Sequence, residues 1–143
     1  MAMNTFDPNK KSAGKNIFGL PFGEHESKVV YVPVPWDATT SYRAGTALGP
    51  EAIVKASGQI DFYDFDYGEL YRQGFYVQNI SAELIKNNIR ARKICQDIIA
   101  ADEDEVAKSS PLQKKLRLAN RFCADMNKWV YTQCQMVLKQ EKI

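Results

Sequence analysis

The first fifteen residues are polar, with Lys10, Lys11 and Lys15 spaced among small side chains, and they predict a flexible N-terminal arm over residues 1–15. Residues 16–27, which contain Gly19-Leu20-Pro21-Phe22-Gly23, predict an ordered but irregular lead-in. Lys28-Val29-Val30-Tyr31-Val32 is then β-branched and aromatic with no alternation. A run that is apolar on both faces suits a central strand of a covered parallel sheet. Pro33 and Pro35 cannot donate to a ladder and end it.

Loop formers fill the stretch from Trp36 to Gly49, and Pro50 fits the first position of a short helix that runs to Ser57 and closes near Gly58. Residues 60–66 alternate aromatic and acidic, which predicts a strand or extended edge, with a further extended piece from Gly74 to Val77. Two long helical patterns follow. The first begins after Asn79 or Ser81, places Leu84, Ile85, Ile89, Cys95, Ile98 and Ile99 on one side, and is expected to fray at Asp102-Glu103-Asp104-Glu105. The second takes Ser110 as its N-cap and Pro111 in its first turn. Its stripe comprises Leu112, Leu116, Ala119, Phe122, Cys123, Met126, Trp129 or Val130, Val137 and Leu138.

One convincing central strand with two weak neighbours is too little for a covered sheet. In a βαβ unit the returning parallel strand would begin just where Lys139-Gln140-Glu141-Lys142-Ile143 ends the chain, so the pattern predicts a fragment of a larger sheet.

Composition narrows the chemistry. The 143 residues hold 19 Lys and Arg against 17 Asp and Glu, a net charge of +2 that points to neither nucleic acid nor an anionic membrane as partner. The apolar run from Val29 to Trp36 is broken by two prolines and is too short to span a bilayer. Asn4, Thr5, Asp7 and Asn9 stand where a signal peptide needs an apolar centre, and the chain is expected to be cytoplasmic. Cys95, Cys123 and Cys134 are odd in number and widely spaced, which suggests neither a disulfide framework nor a zinc site. The single histidine, His25, lies between Glu24 and Glu26 and reads as a solvated loop residue. Histidine-rich binuclear metal sites and His-Glu-x-x-His proteases cannot be completed within the chain. Asp61, Asp64, Asp66 and Glu69 resemble a calcium loop at a glance, but Gly68 falls where a ligand is needed. Lys114, Lys115, Arg117, Arg121 and Lys128 read as a solvated helix face.

The stretch from Val32 to Ile53 is the most informative. It leaves the C-terminal end of a strand and enters a helix N-terminus, where open α/β sheets place ligand crevices and free N–H groups favour an anion. A tight strand-to-helix connection explains the same residues without a ligand, and no Gly-Lys-Ser/Thr follows to support nucleotide binding.

Pro35, Asp37, Thr40, Ser41, Tyr42, Arg43, Gly45, Thr46, Gly49, Pro50, Ala52 and Ile53 resemble the N-terminal part of the ureohydrolase (arginase/agmatinase) family, and the wording is closest to agmatinase. The Asp66-Tyr67-Gly68-Glu69 turn is similar to an acidic-Gly-acidic turn of that family, and the likeness is specific over about residues 28–70. The resemblance implies an α/β fold: the N-terminal part of a three-layer α/β/α sandwich with a parallel sheet, over residues 16–143. It also implies two Mn²⁺ ions, an agmatine-like guanidino substrate hydrolysed to release urea, and trimers or hexamers. The family's Gly-Gly-Asp-His, Asp-Ala-His-x-Asp and later Asp-x-Asp motifs do not occur here, so no metal or catalytic residue carries over. The residues that do carry over are Asp37, Tyr42 and Arg43, at the rim of the family's active-site mouth, with loop-fixing hydrogen bonds as the plainer role. The isolated chain is expected to be inactive. The alternatives are a non-catalytic interaction module of helices and a small sheet, or a piece that complements a separately encoded remainder.

Overall fold

A computed structural model describes residues 16–60, 62 and 64–143; the expected arm of residues 1–15 lies outside them. The chain divides into two compact units, one built from residues up to Pro33, Pro50–Asn79 and Gln133–Ile143, the other from Val34–Gly49 and Ile80–Thr132.

The first unit holds the sheet. Strand β1 (Val29–Tyr31) pairs in parallel with β2 (Phe75–Val77), with Val29 opposite Phe75 and Tyr31 opposite Val77. On the other side of β1, the Val30 N–H donates to the Ile143 carbonyl (2.7 Å) and the Ile143 N–H donates to the Lys28 carbonyl (2.9 Å). That is one rung of a parallel ladder, but among the described residues the sheet itself has only two strands, β1 and β2, and β1 is not the doubly covered central strand that its apolar run predicted, since Tyr31 is exposed. β2 arises from the weak extended piece at Gly74–Val77. Its outer edge is closed by a side chain: Asn16 Oδ1 accepts the Val77 N–H (2.8 Å) and Asn16 Nδ2 reaches the Val77 carbonyl (3.5 Å). An amide that offers both a donor and an acceptor takes the place of a neighbouring strand.

The expected strand over residues 60–66 does not form among its described residues. Asp64 bridges back to Gly68, and Asp64 Oδ1 accepts the N–H groups of Asp66 and Tyr67, both at 2.9 Å. Such an Asx turn, with Gly68 at φ +59°, outcompetes the aromatic alternation that suggested a strand. Leu20, Phe22 and Tyr71 form the buried cluster of this unit, with Phe18, Phe62 and Phe75 packed on it. Helix α1 (Gly49–Ser57) ends on Ser57, whose Oγ accepts the Phe18 N–H at 2.8 Å.

The second unit carries most of the helices. Helix α2 (Ala82–Ile99) is capped by Ser81, whose hydroxyl accepts the Leu84 N–H. Its buried stripe is Leu84, Asn88, Ala91 and Cys95, whereas Ile85, Ile89 and Ile99 are exposed, Ile89 to 64%. Of the predicted stripe, Leu84 and Cys95 are thus buried and Ile98 half-buried, while Asn88 and Ala91 take the places expected of Ile85 and Ile89. The acidic run does not fray α2. Asp102 caps a new helix, α3 (Glu103–Lys108), by accepting the Glu105 N–H at 2.7 Å. The acids fall in the first turn of α3, where the helix dipole favours them.

Helix α4 (Ser110–Leu138) has 29 residues, about 43 Å. Its cap is Ser109, one residue before the predicted Ser110: the Ser109 hydroxyl accepts the Leu112 N–H and its carbonyl the Gln113 N–H. The α4 stripe follows the predicted period, with Ala119 and Val137 buried, but Leu138 is exposed. Within this unit Lys115 pairs with Asp97 at 2.6 Å and Gln113 donates to the Val106 carbonyl at 2.9 Å. An α/β chain with a parallel sheet is therefore present.

Candidate functional site

The loop that leaves the C-terminal end of β1 is organised around Asp37, which is only 6% exposed. Asp37 Oδ2 accepts the N–H groups of Gly45 (2.7 Å) and Ala47 (3.4 Å), at the entry to the 3₁₀ turn Thr46–Leu48 that leads into α1. Gly45 has φ +129°, a conformation open to glycine, and this lets the chain turn its N–H back onto the carboxylate. The anion expected at this helix start is thus supplied by the chain itself. The Gly45 N–H, helped by the Asn88 amide, the Ala47 N–H and the Arg92 charge, holds the Asp37 carboxyl below its ordinary value against the opposing effect of burial.

The other oxygen, Oδ1, accepts from Asn88 Nδ2 at 2.9 Å, and the Asp37 N–H donates to Asn88 Oδ1 at 2.8 Å. One turn along α2, Arg92 Nη1 donates to the carbonyls of Asp37 (3.2 Å) and Thr40 and to Thr40 Oγ1 (2.8 Å). Arg92 Nε is buried without a partner among the described residues.

Tyr42 and Arg43 stand differently. Tyr42 is 84% exposed, and the Arg43 guanidinium lies 5.2 Å from its ring centroid, a cation–π pair in solvent. The structure therefore separates the three sequence candidates into a buried anchor, Asp37, and an exposed pair, Tyr42 and Arg43. Asn88 and Arg92 were missed. The one signal for Asn88 was a polar residue inside an apolar helix stripe. For Arg92 there was none, because a long cation on a helix reads as solvated.

Of the other acidic candidates, Glu69 and Asp64 are engaged with the protein, and Asp61 lies outside the described residues. Glu69 receives Arg72 and the Tyr71 hydroxyl (3.1 Å), and Asp64 holds its own turn. Asp64 also lines a cavity of about 270 Å³ together with Phe18, Phe62, Tyr71 and Phe75. His25 is exposed in the 3₁₀ turn Glu24–Glu26. Among the described residues no three His, Cys, Asp or Glu side chains come together to hold a metal ion. The dimanganese centre implied by the resemblance does not fit the residues described. Cys95 is buried, Cys123 half-buried and Cys134 exposed. No helix among the described residues is long and apolar enough to cross a membrane.

Comparison with known proteins bears on the same segment. The chain is 51% identical over 64 residues to the N(1)-aminopropylagmatine ureohydrolase of Synechocystis sp.. That stretch covers 43% of this chain and 21% of the relative, so the chain spans about a fifth of the length of the curated relative it matches. No solved structure matches significantly. A family model described as "Arginase family" matches residues 27–113, which contain β1, the Asp37 loop and the α2 residues that hold it. That match covers more than half of the sequence and the whole of the loop assembly, and the chain belongs to the arginase family.

Proposed function

We propose that this chain provides the first strand, the Asp37–Gly49 loop and the supporting helices of a ureohydrolase that hydrolyses the guanidino group of an agmatine-like amine and releases urea. The observation that carries the reading is the coincidence of the family match over residues 27–113 with a loop anchored inside the protein and exposed at Tyr42 and Arg43. Asp37 shapes the loop, and Tyr42 and Arg43 border the mouth where substrate enters. In a complete family member two Mn²⁺ ions would supply the Lewis-acid chemistry, and no residues described here would hold them. The family's metal-binding motifs do not occur in the sequence, and the isolated chain is expected to release no urea. The reading includes the N-terminal part of a three-layer α/β/α sandwich, trimeric or hexameric assembly and a cytoplasmic location.

The large exposed apolar side chains, among them Ile53, Ile89, Tyr131 and Met136, support a second reading, in which the chain complements a separately encoded remainder.

A graft tests the proposal. Residues 27–113 replace the corresponding segment of the Synechocystis enzyme, and urea release from aminopropylagmatine is measured. Activity within about tenfold of the parent is expected, a barrier change near 1.4 kcal/mol. A graft that folds by circular dichroism but shows no turnover overturns the reading.

A further inference from the structure

We propose that Asn88 and Arg92 of α2 are positioning residues that preset the Tyr42–Arg43 tip of the loop. The tip's part in a reaction rests on the ureohydrolase reading above; the clamp itself rests on geometry. Asn88 and Arg92 are four residues apart, so one face of α2 presents both to the loop. The Asn88 amide is used in both directions, accepting from the Asp37 N–H and donating to Asp37 Oδ1. Neither an apolar side chain nor an ionised carboxylate can do both.

Because Asp37 Oδ2 in turn takes the Gly45 and Ala47 N–H groups, one buried carboxylate ties α2 to the far end of the loop. Arg92 ties the near end, through the Asp37 and Thr40 carbonyls and the Thr40 hydroxyl. That hydroxyl also lies 3.1 Å from the Arg43 carbonyl. The backbone is thus pinned on both sides of Tyr42 and Arg43, whose side chains remain in solvent. A tip held this way meets its ligand without first having to be ordered.

Amide exchange of the full chain is the test. In Asn88→Asp two carboxylates face each other; Arg92 is the charged group that bears on Asp37, and it already spends Nη1 on carbonyls. The pair repels when both carboxylates are ionised and is relieved when a proton is shared between them as the pH falls. Protection factors of Gly45 and Ala47 are expected to fall at least tenfold, on the order of 1.4 kcal/mol, once both carboxylates are ionised and to recover as the pH is lowered and a proton is shared, with α4 unchanged. Arg92→Met is expected to release the Thr40 N–H, bonded to the Asp37 carbonyl at 3.2 Å, and Arg92→Lys to restore part of its protection. Unchanged protection of Gly45 and Ala47 in Asn88→Asp overturns the positioning role, and so does a loss shared equally by α4 that does not return at low pH. An inactive graft alongside the expected exchange pattern removes the ureohydrolase reading and leaves the clamp standing.

Discussion

Gly74 opens β2 in a conformation that other residues rarely adopt, φ +75° and ψ 130°. A Cβ added there meets the Glu26 carbonyl oxygen at 2.7 Å and Ser27 Cα at 2.8 Å. Both are backbone atoms, so no side chain can swing aside. The same residue joins the sheet, because its carbonyl accepts the Val29 N–H at 3.2 Å. Gly74→Ala therefore combines backbone strain of about 1–3 kcal/mol with an overpacking cost of about 1–3 kcal/mol. We expect a loss of about 3 kcal/mol or more.

Gly68→Ala is the control: its φ is +59°, yet nothing lies within 4 Å of the added Cβ. It should cost only the conformational strain, about 1 kcal/mol. Urea denaturation followed by far-ultraviolet circular dichroism measures both. At roughly 3 °C per kcal/mol, the melting temperature of Gly74→Ala should fall by about 10 °C. A Gly74→Ala protein within about 0.5 kcal/mol of wild type, or level with Gly68→Ala, would refute the packing argument.

Three further outcomes are expected. The folded state holds the Asp37 carboxyl below its ordinary 3.8, so the ionised group stabilises the fold above that pH and the contribution is lost as the pH falls below it. The stability gap between wild type and Asp37→Asn should accordingly be wide at pH 7 and shrink on titration to about pH 3, and a gap that does not vary with pH counts against the carboxylate anchor. Arg43→Ala should change chemical stability by less than about 0.5 kcal/mol, because the side chain is exposed, yet raise KM in the active graft; an unchanged KM removes Arg43 from the substrate mouth. With a thiol reagent, Cys134 should react fastest and Cys95 slowest, since burial pushes the Cys95 thiol up while Cys134 is open to solvent; the reverse order contradicts the packing of α2.

Much of this was legible in the order of the residues. Val29, Val30 and Tyr31 are β-branched or aromatic, and they do form β1 of a parallel sheet, though one of only two strands among the described residues. Ser81, Pro50 and Pro111 mark helix starts through local hydrogen bonding and a fixed φ, which act within a few residues of sequence. The motif from Pro35 to Ile53 was enough to indicate the family, because loop glycines and an acid at set spacing reflect short-range geometry.

What needed the tertiary structure were the partners far apart in the chain. Asp37 meets Asn88 across 51 positions, and Asn16 closes β2 across 61. No period or propensity encodes such a pair. The acidic run after Ile99 shows the same limit at short range: its charge suits a helix start and opposes a helix end, and only the fold decided that it begins α3. The sequence by itself therefore determined β1, the starts of α1, α2 and α4 to within a residue, and the family. Tertiary packing decided that the loop's anion is Asp37, that α2 faces it with Asn88 rather than Ile89, and that Tyr42 and Arg43 alone of the three candidates meet solvent. The physical reason is that the free energy of a buried carboxylate depends on every donor around it, and those donors come from distant parts of the chain.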